Sequence, residues 1–305
     1  MSPDRPDVGP WAEFWSDAAR GGKSTMEGGC LPHHSAALEA AQKTAWHRFA
    51  QTMPRSARLL DLATGDGRVL KWMLARRRDL KLTGVDLAPR LPDAPRGTKL
   101  RGGIAMEALP FPDDGFHAVT SQFGMEYSEL ERSAAETARV LRGGGRVALL
   151  VHRCDGPILE HNRRRAMAIQ WALDDARVIA RAETALTLGP NGLRDALGIA
   201  TDAARDGAKL LGQTSPGWEI SEAVRRTLLM GTPKDIQPML ATLRSIARKA
   251  RNELARIDAL DRACTTADDQ ERFVLAFAGS GLRLRSAQEV CEPSGRAFAN
   301  FLTFS

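Results

Sequence analysis

Between residues 57 and 152 short apolar runs alternate with amphipathic stretches, and few folds accept that order. ARLLDLAT (57–64) is the kind of run that a parallel strand buried on both faces needs, and it ends in a glycine turn. GRVLKWMLARRR follows, with Val69, Leu70, Met73 and Leu74 on one helical face. KLTGVDLA (81–88) reads as a second strand, and the prolines of LAPRLPDAPRGT after it deny a regular helix. KLRGGI predicts a short third strand, LPFPDDG a loop, and FHAVTSQFG (116–124) a fourth strand. SELERSAAETARVLR predicts a capped amphipathic helix, and GGGRVALLVH (143–152) a fifth strand. Alternation of this kind predicts an α/β doubly wound sheet.

The flanks follow other rules. The first thirty residues are turn-rich and read as a loop; their GGKS string lacks the earlier glycine of a phosphate loop, because Asp17 stands there. Residues 35–52 predict a helix before the first strand. From 155 to 262 the rhythm breaks into Ala-, Arg- and Leu-rich helices. Their basic clusters, Arg163 to Arg165 and Arg244 to Arg256, read as solvated helix faces with acidic neighbours such as Glu253 and Asp258. A helix over 266–280, a strand, the turn CEPSGR and the strand AFANFLTFS then predict a closing hairpin. The expected division is an N-terminal loop and helix (1–56), a core (57–154 with 263–305) and a helical insertion (155–262).

Charge and cysteine usage narrow the classes of partner. Lys and Arg number 43 against 37 Asp and Glu, and the net +6 divides evenly between the two halves of the 305 residues. A dedicated nucleic-acid surface is more lopsided, so charge argues against nucleic acid. The four cysteines, Cys30, Cys154, Cys264 and Cys291, form no Cys-x-x-Cys pair, and no His/Cys/Asp cluster has metal-ligand spacing, so neither disulfides nor a metal is expected. The N-terminus lacks a signal-peptide pattern, and no run approaches the roughly 18–20 apolar residues of a membrane span. A soluble, cytoplasmic protein is the expectation.

The chemistry concentrates in LLDLATGDGRVL (59–70). Asp61 stands near the end of the first strand, and Gly65 and Gly67 turn the chain into a helix whose N–H groups point toward any ligand there. A dinucleotide fingerprint would need a third glycine at position 70, which is Leu70, and this disfavours a nicotinamide dehydrogenase. Asp86 ends the next strand, where a carboxylate can accept both hydroxyls of a ribose.

This ordered set resembles class I S-adenosylmethionine-dependent methyltransferases, particularly the group with a type 11 methyltransferase domain. MEALPFPDDGFHAV resembles that group's Leu-Pro-Phe segment, and ETARVLRGGGRVALLV its glycine-bearing segment before the fifth strand. The resemblance covers about residues 57–152 and implies a seven-stranded Rossmann-like sheet, with the terminal hairpin as its sixth and seventh strands. It implies S-adenosyl-L-methionine as cofactor, held by Asp61, Thr64, Gly65, Gly67, Asp86, Leu87, Met106, Glu107 and Gln122. Asp61 would bond near the amino group, Asp86 would bind the ribose, and Leu87 would cover the adenine. Where many relatives place an Asp against the adenine amino group this chain has Ala105, which leaves that contact to Met106 or Glu107.

Methyl transfer to a hydroxyl profits from a base within hydrogen-bond reach. The carboxyl ends of the fourth and fifth strands bring Gln122, Glu126, Tyr127 and His152 toward the acceptor, with His152 the first candidate for a base and Glu126 the second. His33 and His34 lie in a segment that could fold over the cofactor. The helical stretch 155–262 is expected to act as a lid, with a dimerisation or purely stabilising module as the alternative. A small-molecule methyltransferase is the leading reading. The alternatives are an RNA or protein methyltransferase and a non-catalytic S-adenosylmethionine-binding module. Oligomeric state stays open, a homodimer included.

Overall fold

The computed structural model of the chain describes residues 9–20, 36–188 and 191–305. The GGKS string, His33 and His34 lie outside them. Two compact units emerge, one of Met1–Glu160 with Ala259–Ser305 and one of His161–Asp258.

The first unit is built on a seven-stranded sheet. Its elements run α1 (Gly9–Ala19), α2 (Ala36–Gln51), β1 (Arg58–Leu62), α3 (Arg68–Arg76), β2 (Lys81–Val85), β3 (Thr98–Arg101), β4 (Phe116–Gln122), α4 (Leu130–Val140) and β5 (Leu141–His152). After α5 (Pro157–Gln170), α6 (Val178–Thr187), α7 (Gly192–Leu211), α8 (Pro216–Met230) and α9 (Ile236–Asp268) come α10 (Gln270–Gly279), β6 (Leu284–Cys291) and β7 (Ala297–Phe304). The strand order is β3-β2-β1-β4-β5-β7-β6. β1 to β5 pair in parallel, and β7 lies antiparallel between β5 and β6.

Both faces of the sheet are covered, which is why its strands are apolar at successive positions rather than alternate ones. Leu59 faces a core with Trp46, Phe49, Leu70 and Phe298, whereas Leu60 faces another with Val119, Leu130, Phe273 and Phe304. Winding runs outward from β1 through β2 to β3 and, on the other side, through β4 to β5. The carboxyl ends of β1 and β4 are therefore the topological switch point, where open α/β sheets form their ligand crevice.

Several boundaries depart from expectation. Residues 9–19, expected as loop, form α1, because Trp11, Ala12 and Trp15 share a face that the fold covers. α4 begins at Leu130 after Glu129, without a side-chain cap; the Ser128 hydroxyl donates backward to Met125 O at 2.8 Å. The last helix starts at Gln270 rather than 266, because the preceding helix runs through Asp268 and the Asp269 carboxylate accepts from the Arg272 amide at 3.1 Å.

The helical elements are α5 (Pro157–Gln170), α6 (Val178–Thr187), α7 (Gly192–Leu211), α8 (Pro216–Met230) and α9 (Ile236–Asp268), with a π-helical turn at Trp171–Asp175. The second unit has a core of its own, with Ala182, Leu186, Ala200, Val224, Leu228 and Leu243. Alanines on α7 bring its neighbours close, and the Trp171 ring lies against Gly207 and Gly217. Two arginines expected on solvated faces point inward instead. Arg165 is held by Glu253 at 2.6 Å, and Arg256 is buried with Asn252 beside it at 3.3 Å. Among the described residues no helix is long and apolar enough to cross a membrane.

Candidate active site

A strand that must turn into a helix within five residues needs backbone freedom. Ala63, Gly65 and Gly67 all adopt left-handed conformations, with φ of 53°, 51° and 71°. The turn is pinned by Thr64 N–H donating to Val85 O at 3.0 Å and Gly67 N–H donating to Thr64 O at 2.8 Å. Asp86 buttresses it from the next strand: Oδ2 accepts from the Gly65 amide and Oδ1 from the Ala88 amide, both at 2.9 Å.

Beneath the turn lies Asp61, fully enclosed, with Oδ2 accepting from Thr64 Oγ1 and Oδ1 from Thr120 Oγ1, each at 2.7 Å. Burial pushes its carboxyl up to about 7; the two hydroxyl bonds oppose the shift, and the charges of Asp86 and Asp66 add to it. Burial also raises Asp86, against its two backbone bonds.

Asp61, Ala63, Thr64, Gly65 and Asp86 line a cleft of about 330 Å³, within the roughly 300–1,000 Å³ of small-molecule sites. Of the sequence candidates, Asp61, Thr64, Gly65, Asp86, Leu87, Met106, Glu107, Gln122 and His152 lie in its wall. Gly67 and Glu126 do not. Gly67 closes the turn from behind, where an added Cβ would meet Pro95 and Leu100. The Gln122 amide is engaged on the α2 side, taking the Trp46 indole N–H at 2.7 Å and donating to Gln42 at 3.0 Å. Glu107 Oε1 accepts from the Glu129 amide at 3.0 Å.

At the carboxyl end of β5 the two catalytic candidates meet. His152 Nδ1 lies 2.8 Å from Glu126 Oε1, and the His152 main-chain N–H donates to the same oxygen at 3.0 Å. Their side chains are 4% and 0% exposed. Nδ1 is thereby the donor, and Nε2 is the ring nitrogen left for other contacts. Glu126 Oε2 is buried with no partner among the described residues. The Phe123 ring stacks on the imidazole at 4.1 Å and 25°, from a backbone with φ of 53°.

Sequence reasoning missed Trp11, Trp15, Arg68, Ile104 and Phe123, which also line the cleft. Trp11 and Trp15 are spaced i, i+4 in GPWAEFWSDAA, a helical signal that the flanking glycines and prolines obscured. The Trp15 indole lies against Gly65, in the space that any larger residue at 65 would claim. Among the described residues no group of three or more His, Cys, Asp or Glu side chains could hold a metal ion.

The doubly wound seven-stranded sheet carries a glycine turn and acidic strand ends at its switch point. Residues 60–149 match the family model of a methyltransferase domain. Similar curated proteins include a demethylmenaquinone methyltransferase of Thermus thermophilus, 36% identical over 101 residues, which are 30% of this chain and 46% of that protein. A ubiquinone/menaquinone biosynthesis C-methyltransferase UbiE of Geotalea daltonii is 34% identical over 120 residues, 34% of this chain and 51% of that one. The chain thus spans about half the length of the curated relatives it matches. Among solved structures, 1,6-didemethyltoxoflavin-N1-methyltransferase of Burkholderia thailandensis aligns over 97% of this chain and 86% of its own, at 11% identity and a TM-score of 0.44.

Proposed function

We propose that the chain is an S-adenosylmethionine-dependent methyltransferase acting on a small-molecule acceptor. The observation that carries this reading is one cleft, at the switch point of the sheet, that joins the Asp86-buttressed glycine turn to the His152–Glu126 pair.

The residues present fit the cofactor. Gly65 leaves the turn without a side chain at the cleft wall, where the Trp15 indole lies against it. Asp86 supplies ribose-binding oxygens, Leu87, Ile104 and Met106 supply apolar surface for a base, and Asp61 with Thr64 supplies acceptors beneath the turn. When bound, the cofactor supplies an electrophilic methyl group on a sulfonium. The chain's own part is to align the acceptor, exclude water and hold a proton. Glu126 fixes the imidazole through Nδ1, which leaves Nε2 as the base for the acceptor's proton. Glu126 is thus a positioning partner for His152 rather than a second base.

The free cysteines Cys154, Cys264 and Cys291 support a reducing, cytoplasmic setting.

Calorimetric titration with S-adenosylhomocysteine tests the reading. Saturable binding by the wild type and its loss in Asp86→Ala, with both proteins melting cooperatively, supports it. Binding of NAD instead, or of neither ligand, sinks it. Glu126→Gln separates the roles: turnover falls by a large part of the roughly 10²–10⁴-fold that a positioned base supplies, while affinity for S-adenosylhomocysteine is unchanged.

A further inference from the structure

We infer that the methyl acceptor is an aromatic hydroxyl compound without a charged group, methylated on the oxygen whose proton His152 Nε2 removes. The inference rests on the methyltransferase reading and adds the acceptor class to it.

Four aromatic rings set the shape of the wall. Phe123 covers one face of the His152 imidazole, and Tyr127 meets that imidazole edge-on at 6.0 Å and 74°. Trp11 stands edge-on to Tyr127 at 6.0 Å and 90°. All four rings line the cleft. An aromatic wall of this kind pairs with a flat ring edge-on or in an offset stack. Phe123 reaches its place from a left-handed backbone with its N–H held by Leu150 O at 2.7 Å, and such strained positions cluster at functional sites.

The charges of the described wall disfavour an anionic acceptor. Among the described residues Arg68 is the one cationic side chain in the wall, and Asp66 grips it through both Nε and Nη2 at 3.0 and 2.6 Å. A carboxylate or phosphate on the acceptor would be desolvated without a counter-charge, which is costly. The acidic side chains of the wall face inward contacts of their own, Asp86 to two backbone amides and Glu107 to the Glu129 amide.

The base selects the reacting group. A neutral amine attacks without losing a proton first, so a held imidazole adds little to its reaction. A phenolic hydroxyl ionises near 10, within reach of an imidazole, whereas an alkyl alcohol is far less acidic. In the step, the phenol O–H bond breaks and its proton passes to His152 Nε2. The oxygen's electron pair forms the new bond to the methyl carbon. The carbon–sulfur bond breaks, its electrons stay on sulfur, and the sulfonium becomes a neutral thioether. The proton then leaves His152 for water.

The experiment uses the full chain, with S-adenosylhomocysteine calorimetry run first so that failure of the cofactor reading is seen separately. Labelled-methyl transfer is then measured to 2-naphthol, 4-methoxyphenol and 4-nitrophenol, against cyclohexanol, aniline and benzoate, with the methylated atom located by NMR. The expected result is O-methylation of the phenols alone. His152→Ala should lower kcat by about 10²–10⁴-fold without changing S-adenosylhomocysteine affinity. The ratio of wild type to His152→Ala should shrink toward 4-nitrophenol, which needs less help to ionise; a merely structural loss would not track acidity. Trp11→Leu should raise KM for 2-naphthol about 2–10-fold with kcat little changed. Binding of S-adenosylhomocysteine with no transfer to any phenol overturns the inference. So does transfer to aniline or benzoate, a methyl group on ring carbon, or an undiminished kcat in His152→Ala. Failure to bind S-adenosylhomocysteine removes the inference together with the reading beneath it.

Discussion

At the scale of single residues, Asp61 shows how burial changes what an acidic side chain is. Its position beside the glycine turn is plain in the sequence, but its carboxyl ionises near pH 7 only because the fold encloses it. The folded chain therefore holds a proton at Asp61 that the unfolded chain, with the ordinary value of 3.8, has already lost. Stability from this group is complete below about pH 4 and is lost as pH rises to about 7, at about 1.4 kcal/mol per unit. Melting temperatures at pH 5 and pH 8 check it: the wild type should lose stability over that interval, and Asp61→Asn, which keeps acceptor and donor for the two threonine hydroxyls, should lose much less. Ala63 is a second such residue. It stands at φ of 53° without being glycine, a conformation that costs about 1–2 kcal/mol. Ala63→Gly should raise stability by about 0.5–1 kcal/mol after glycine's own entropy is counted, read as a higher midpoint in urea.

At the scale of elements, the strands were readable because burial on both faces demands continuous apolar runs, and the runs at 57–64, 116–124 and 143–152 satisfy it. α1 was not readable. Its apolar face is short, its flanks carry proline and glycine, and its helix is stabilised by tertiary cover on Trp11 and Trp15 rather than by propensity. α2 is tied to β4 through two polar contacts in an apolar layer, the Trp46 indole donating to Gln122 and the Gln122 amide donating to Gln42. Trp46→Phe keeps most of the ring but removes the donor, and the Gln122 carbonyl loses its partner. The expected loss is about 1–3 kcal/mol, seen as a lower denaturation midpoint at unchanged slope.

At the scale of the whole molecule, apolar side chains are divided among separate cores, two against the sheet and further ones within His161–Asp258. Ala- and Leu-rich composition announced helices there, but not which arginines would turn inward: Arg165 meets Glu253 across 88 residues of chain. Leu243 is fully buried in the helical core. Leu243→Ala should cost about 2–5 kcal/mol, measured by far-ultraviolet circular dichroism during thermal unfolding.

The amino-acid sequence by itself determined the strand–helix alternation, the glycine turn after Asp61 and the carboxylate ending β2, because each depends on neighbours within a few positions. It also offered His152 and Glu126 as candidate bases through their places near strand ends. Only the tertiary structure decided that these two form a single pair, with one oxygen of Glu126 on Nδ1 and Nε2 left over. The same holds for the insertion of β7 between β5 and β6, the aromatic wall that α1 and Phe123 complete, and the raised carboxyl of Asp61. The physical reason is common to all of them. Hydrogen-bond direction, ring stacking and desolvation depend on distances between residues far apart in the chain, and those distances exist only once the sheet has closed its layers.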